Sequence, residues 1–253
     1  MISRPASRPP GWAAPWRCAR SSSHWRASCA LRFGARVVAG DEFLLTDPIE
    51  EFERQLDSLV EKGYPELAQR SEREFRKIVE PLRDDVERLA ASGASPNGVI
   101  PFVVAVKSEL VPAARSLQLI EREGKAAFAV MNEEDIGSFG PIDEIDLPEC
   151  GAYLVTALDT GSDMLNVKPD DALKAIGKRR RSPLTIDEGI ALATHHPHLV
   201  AKGAGFSLLG SRCGDKRVTA LWISQGKPKL GWCWAGNPHT WLGSASCGAR
   251  VPA

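Results

Sequence analysis

Side chains capable of binding or catalysis are concentrated between Arg212 and Cys247. Four of the seven Trp, three of the six Cys and one of the five His of the chain lie in this stretch. Glycines are interspersed among them, and a residue without a side chain lets the backbone approach another segment or a ligand closely. We therefore expect a binding site here, formed by Arg212, Cys213, Trp232, Trp234, Asn237, His239 and Trp241.

The aromatic residues of this stretch favour a binding surface. Side chains alternate between the two faces of a β-strand, so Trp232 and Trp234 share one face. The loop at residues 236–241 adds the amide of Asn237 and the imidazole of His239. Exposed rings beside such groups would bind a flat or cationic ligand. The alternative is an aromatic patch of the core whose indole N–H groups find backbone partners, and the sequence leaves both interpretations open.

A reactive thiol is a second interpretation of the same stretch. Cys213 could act as a nucleophile with His239 as its base, and Asn237 could orient the imidazole. Arg212 is expected to lower the pKa of the Cys213 thiol, since a neighbouring cation stabilises a thiolate. The alternative is that the cysteines are small buried hydrophobic residues, which the strand pattern favours for Cys233 between two Trp. A hydrolase is therefore the rival to a binding role.

The string Asp159-Thr160-Gly161 follows a predicted strand, and this is how aspartic proteases present a catalytic carboxylate. Those enzymes need two such Asp that share one proton, whereas this chain has one Asp-Thr-Gly. The segment that follows has helix-capping signals where the protease needs a β flap. The alternative is a polar turn in which Asp159 bonds to nearby backbone amides.

The cluster His195-His196-Pro197-His198 could suggest zinc, but no Cys or carboxylate lies near it at ligand spacing. A charged His is favourable at the C-terminus of a helix, and Pro197 ends the helix. The cysteines form no Cys-x-x-Cys pair, which disfavours a structural zinc. We expect neither a bound metal nor a cofactor.

The elements that must position these residues begin with two amphipathic helices. Asp47 and Ser71 are N-cap residues, each with Glu three positions later, and Pro81 predicts a kink in the second helix. After a linker at residues 92–98, short apolar runs predict strands at 100–106, 126–131, 152–158, 206–209, 218–224 and 230–234. The last two strands are joined as a hairpin through residues 225–229.

Two further helices are predicted among the strands. One spans residues 169–176, and the other begins at a capping box on Thr185 and stops at Pro197. The sequence therefore predicts an α+β fold, with N-terminal helices followed by a mixed, largely antiparallel sheet with short helices and a C-terminal β-hairpin.

Charge divides the chain into two parts. Residues 1–40 hold seven Arg and neither Lys nor acid, so the rest of this neutral chain carries a net charge of −7. We interpret residues 1–44 as a disordered extension, explained most simply by a start codon assigned too far upstream, with a transit peptide or a basic arm as alternatives. Residues 45–253 are expected to form a single α+β domain.

The composition of this domain bounds its partners. An acidic domain disfavours nucleic acid, and the chain has no apolar run of 18 residues that could span a membrane. The four Cys of this domain are not spaced as in a disulfide framework, which favours reduced thiols and a cytoplasmic protein.

Three strings resemble a family of uncharacterised bacterial proteins, a domain of unknown function. They are SPLTIDEGIALATHHP, LLGSRCGDKRVTALWI and GWCWAGNPHTWLGSASC, of which the last is the most specific. The resemblance covers about residues 45–247 and leaves the first forty outside. It implies no activity, cofactor or partner. From the residues alone, we expect a module that binds a small molecule or peptide through the Trp/Asn/His loop, with a hydrolase using Cys213 and His239, or Asp159, as the alternative.

Overall fold

The computed structural model describes residues 47–91 and 100–253. The predicted extension at residues 1–44 and the predicted linker at 92–98 lie outside these ranges. Within them, no helix combines the length and the apolar character needed to cross a membrane.

The N-terminal helices begin where the capping residues predict. Asp47 Oδ1 accepts a hydrogen bond from the amide of Ile49 at 2.8 Å, and Ser71 and Glu74 form both halves of a capping box. Pro81 lies in a 3-10 turn that interrupts the second helix, because proline lacks the amide that a continuous helix needs.

The helices of the described ranges are α1 (Pro48–Glu61), α2 (Tyr64–Leu67), α3 (Glu72–Val79), α4 (Arg83–Ala91), α5 (Ala113–Ser116), α6 (Glu133–Gly137), α7 (Pro169–Lys178) and α8 (Ile186–His195). Short 3-10 turns lie at Glu80–Leu82, Leu117–Leu119, Ser162–Met164 and Pro197–Leu199.

The strands are β1 (Ile100–Val106), β2 (Glu121–Arg122), β3 (Lys125–Ala126), β4 (Phe128–Ala129), β5 (Gly140–Pro141), β6 (Ala152–Leu158), β7 (Ser182–Pro183), β8 (Gly205–Leu208), β9 (Ser211–Arg212), β10 (Arg217–Ser224), β11 (Lys227–Trp234), β12 (Leu242–Ser244), β13 (Ser246–Cys247) and β14 (Ala249–Pro252).

Strands β1, β6 and β14 form an antiparallel sheet with β6 in the centre. Alternate residues of these strands enter two different hydrophobic cores, as the two-residue period requires. Phe102, Val104 and Leu154 pack with the N-terminal helices. Val103 and Val155 point the other way, into the largest core.

A second sheet has the order β12-β8-β10-β11-β4, with parallel pairing at its two edges and antiparallel pairing between. The predicted hairpin is formed by β10 and β11. Its turn is Gln225–Gly226, and both residues have positive φ, 53° and 71°, as in a type I′ turn. The predicted turn at 225–229 was too long, because Lys227 already pairs with Ser224.

The predicted strand at 126–131 is also wrong in extent. Residues 125–126 pair with β2, whereas residues 128–129 pair with β11. The chain changes partner at Ala127, whose amide donates to the carbonyl of Ile120 at 2.8 Å. Two short strands therefore replace one longer strand.

Residues from both sheets and from α8 meet in the largest core. Glu188 of α8 is fully buried there and forms an ion pair with Arg250 of β14, with Nη2 and Oε2 2.9 Å apart. The hydroxyl of Tyr153 on β6 donates to the same carboxylate at 3.1 Å. Because a buried charge is tolerated only when it is paired, these contacts fix α8 against the three-stranded sheet.

A third, smaller core lies on the other face of the five-stranded sheet. Ala172 and Ile176 of α7 pack there with Val218 and Ala220 of β10 and with Cys233 of β11. The order of helices, sheets and hairpin confirms the predicted α+β class.

Candidate functional site

Two exposed Trp side chains stand next to each other at the end of the hairpin. Trp232 and Trp234 are 36% and 47% exposed, and their ring centroids are 4.9 Å apart in an edge-to-face arrangement. They share one face of β11, as the two-residue period predicts. Rings of this size are usually covered by protein, so an exposed pair is a candidate contact surface.

Arg217 connects this pair to the rest of the molecule. It lies opposite Trp234 in the hairpin register, and its guanidinium carbon is 5.9 Å from the Trp232 ring centroid and 5.4 Å from that of Phe139. Asp215 accepts from its Nε at 2.8 Å, and Asp135 accepts from its Nη1 at 3.2 Å. These two hydrogen bonds raise the pKa of Arg217 above its usual value and hold the guanidinium in place beside the indole.

The backbone of β11 is open beside Trp232. In a two-residue hairpin the residues that flank the turn form a hydrogen-bonded pair, and such pairs then alternate along the ladder. Gly231 and Cys233 therefore bond to β10, whereas the amide and carbonyl of Trp232 point away from it. On that outer side β4 pairs with Lys229 and Leu230, and no strand of the described residues pairs with β11 beyond them.

The other predicted aromatic residue, Trp241, lies on the opposite side of the hairpin. Its ring centroid is 5.6 Å from that of Trp222 and 5.3 Å from that of His239, and both Trp pack against the third core. Asn237 is exposed, and its backbone N–H donates to the carbonyl of Trp234 at 3.0 Å. The structure therefore divides the predicted site between two faces of one sheet.

Arg212 and Cys213 do not form the expected activated thiol. Arg212 Nη1 donates to the carbonyls of Leu209 and Ser211 at 2.8 and 3.2 Å. The Cys213 thiol donates instead to Asp215 Oδ1 at 3.3 Å. Burial and this carboxylate raise the pKa of Cys213, and the lowering effect expected from Arg212 does not offset them.

The proposed pairing of Cys213 with His239 also lacks a contact. Cys213 packs against the largest core, on one side of the five-stranded sheet. His239 packs on Trp241, which belongs to the core on the other side. The buried thiol of Cys233 lies in that third core as predicted, and burial raises its pKa.

The Asp159-Thr160-Gly161 string forms a polar turn. Asp159 Oδ1 accepts a hydrogen bond from the amide of Gly161 at 2.7 Å, which is the alternative that the sequence left open. Gly161 has a φ of 71°, and a Cβ there would lie 2.1 Å from the carbonyl oxygen of Ser244. This turn packs backbone against backbone on β12, which explains its glycine.

The histidine cluster differs from the prediction in its charge. His195 and His196 are buried, and burial lowers the pKa of each to about 3. His195 Nε2 is 3.0 Å from the carbonyl oxygen of Val104. The helix therefore ends on neutral imidazoles rather than on charged ones, because desolvation outweighs the attraction of the helix terminus. Over residues 47–91 and 100–253, no group of three potential ligands is arranged to hold a metal ion.

Comparison with known proteins places the chain in a family. Residues 58–253 match the family described as a family of unknown function, DUF5701. The chain belongs to this family. No curated protein and no solved structure matches it. The predicted resemblance to a family of unknown function is thus confirmed, and the match begins inside α1.

Sequence reasoning missed two residues that lie beside the exposed Trp pair, the half-buried Arg217 and the buried Phe139. Arg217 was not predicted because the predicted strand began one residue later, at Val218. Its position opposite Trp234 could have been found by extending the hairpin register by one pair. Phe139 comes from a distant segment, and nothing in the local pattern associates it with the hairpin.

Proposed function

We propose that this protein is a peptide-binding module, in which an extended peptide adds to the open edge of β11 and covers Trp232 and Trp234. The observation that carries the proposal is the combination of two exposed indoles with unpaired backbone groups on the same strand.

A peptide would use both parts of this surface. In strand addition, main-chain hydrogen bonds contribute affinity, and alternate side chains of the peptide contact the neighbouring face of the sheet. Trp232 supplies both, since its amide and carbonyl point outward and its ring lies on the face. A small flat molecule would contact the rings alone, and such ligands favour concave sites that enclose most of their surface.

The charge of the surface favours an apolar peptide side chain. Asp215 and Asp135 already neutralise Arg217, so the indoles have a paired cation beside them rather than a free one. We expect the preferred peptides to carry aromatic or aliphatic residues at alternate positions, facing the two Trp.

Selection of short random peptides on the immobilised full chain, followed by calorimetry, tests this proposal. Trp232→Ser and Trp234→Ser should each lower the affinity for the selected peptides about tenfold or more, because buried Trp side chains dominate such interfaces. Leu165→Ser is the matched control, since Leu165 is also 36% exposed but follows the Ser162–Met164 turn. The control variant should bind as the unchanged chain does.

Hydrogen exchange provides a second measurement. Binding should slow exchange of the Trp232 amide, because that amide would become hydrogen-bonded to the peptide. Selected peptides that bind both Trp variants at full affinity would overturn the proposal. An unchanged exchange rate at Trp232 in the complex would also overturn it.

A further inference from the structure

A cavity of about 450 Å³ lies at the beginning of α8. Most of its wall is apolar and includes Pro112, Ala113, Ile136, Phe139 and Leu147. Its polar lining includes Ser108, Asp187 and Ser211. The volume lies within the range of about 300–1,000 Å³ that small-molecule sites occupy.

Asp187 is a fixed carboxylate in this wall. The backbone amide of Ser108 donates to Oδ2 at 2.9 Å, and the Ser108 hydroxyl donates to Oδ1. A carboxylate offers about four acceptor sites, so each oxygen can accept a further hydrogen bond from a ligand. The two bonds from one residue fix the direction of these free acceptor sites.

The cavity does not suit an anion, although a helix begins beside it. The Ile186 amide of α8 already donates to Ser211 Oγ at 2.9 Å, and the Glu188 amide donates to Thr185 at 3.4 Å. The charged residues that line the cavity are Glu109, Glu133 and Asp187, all of them acids. Lys107 and Arg115 already pair with Glu109 and Glu133 at 3.6 and 3.2 Å. A ligand that enters with a positive group therefore meets complementary charge chiefly at Asp187.

We propose that this cavity binds a small molecule that carries a protonated amine on an apolar body. The ammonium group donates to Asp187, and the apolar body packs against Ile136 and Phe139. Phe139 also contacts Arg217 beside Trp232, but Asp187 and the rest of this lining lie outside the strand edge, and amine binding here does not depend on the peptide-binding proposal.

Binding of the amine should depend on pH through Asp187. Burial raises the pKa of Asp187 to about 6, with a smaller contribution from the carboxylates of Glu109 and Glu188. The nearby phenols of Tyr64 and Tyr153 stay neutral in this range, because burial raises the pKa of both. Affinity for an ammonium group should therefore rise as the pH increases through about 6 and Asp187 becomes charged.

Calorimetric titration of the full chain with phenethylamine tests the proposal, with phenethyl alcohol and phenylpropionic acid as matched neutral and anionic probes. The amine should bind about tenfold or more tightly than either, because a charge-assisted hydrogen bond is stronger than a neutral one. Asp187→Asn, which keeps the size of the side chain, should remove this preference. Glu134→Gln, an exposed change on α6, should leave it intact.

A second variant decides the outcome if Asp187→Asn fails to fold. Gly140 lines the cavity, and a Cβ at this position meets no atom within 4 Å. Gly140→Leu should therefore fold and narrow the cavity, and it should weaken the binding of phenethylamine about tenfold. The proposal is overturned if phenethylamine does not bind, if the alcohol or the acid binds equally well, or if a folded Asp187→Asn or Gly140→Leu retains full affinity for the amine.

Discussion

The reactivity of Cys213 depends on its neighbour Asp215, whose carboxylate accepts a hydrogen bond from the thiol at 3.3 Å. Burial and this carboxylate raise the thiol pKa, while the cation of Arg217 acts in the opposite direction with less effect. A thiol with a raised pKa is mostly protonated at neutral pH and is a weak nucleophile. Burial and the Asp215 carboxylate thus disfavour the nucleophilic role that the sequence left open for this cysteine.

Replacing that carboxylate should activate the thiol. We expect Asp215→Asn to increase the rate at which iodoacetamide alkylates Cys213 at neutral pH, since the variant loses the negative charge beside the thiol and leaves Arg217 with Asp135 as its remaining carboxylate partner. Rates for each cysteine can be followed by mass spectrometry of the peptides. Cys233 and Cys247 are buried and serve as slow internal references. An unchanged or slower rate at Cys213 would contradict this explanation of its pKa.

At the scale of elements, the end of α8 joins the strand beside it through a neutral imidazole. His195 lies 3.0 Å from the carbonyl oxygen of Val104 on β1, and burial lowers its pKa to about 3. In the unfolded chain a histidine titrates near pH 6.5. Between these two values the unfolded state binds more protons than the folded state. The contribution of neutral His195 to the free energy of unfolding is therefore fully present above about pH 6.5 and is lost as the pH falls towards 3.

Stability against urea should reflect this difference. We expect the urea concentration at the midpoint of unfolding to decrease as the pH is lowered from about 7 to 4. The decrease should be smaller in His195→Gln than in the unchanged chain. His198→Gln, at an exposed position, is the matched control and should keep the original slope. Asp187 acts with the opposite sign because its pKa is raised to about 6, and His196 acts with the same sign as His195 because its pKa is lowered to about 3, but both residues are present in every variant. Equal slopes in both variants would contradict the assignment to His195.

Local sequence patterns predicted single elements better than their pairing. The strands at Ile100–Val106 and Ala152–Leu158 have the predicted bounds, because apolar runs bounded by turn residues carry a strong local signal. The residues at 126–131 share such a run, yet their pairing partners change at Ala127, which no local pattern records. The two-residue period correctly placed Trp232 and Trp234 on one face. It could not show that β4 covers β11 only as far as Leu230.

At the scale of the whole molecule, the folded part extends beyond the family match. The match begins at residue 58, but Phe52 and Leu56 of α1 are already buried against the N-terminal helices and the three-stranded sheet. The first turns of α1 therefore contribute to the same core as Leu154 in the middle of the matched region.

Leu56→Ala should cost about 2–5 kcal/mol of unfolding free energy, because it leaves a cavity in a packed core. Leu154→Ala, inside the family match, should cost a similar amount. Val130→Ala is the control, since Val130 is 59% exposed and little is lost there. Urea denaturation of the three variants provides the comparison. A stable Leu56→Ala chain beside a destabilised Leu154→Ala chain would mean that α1 is peripheral to the fold.

The sequence did not predict the cavity at the beginning of α8. Ser108 and Asp187 are 79 residues apart in the chain, and the capping box that contains Asp187 gives no sign of a contact with Ser108. Their contact exists because α8 packs across β1, which is a consequence of three-dimensional pairing. The sequence analysis placed the binding site instead in the segment rich in Trp and Cys. In the structure, the residues of that predicted site lie on two faces of one sheet.

Strand β6 links the layers of the molecule thermodynamically. Tyr153 and Leu154 are consecutive, yet one belongs to the largest core and the other to the core of the N-terminal helices. The strand cannot leave one core without disrupting the other, so the layers should melt as one cooperative unit. A ligand that binds the native hairpin would consequently protect the distant helices against unfolding, by the free energy of its binding and without touching them.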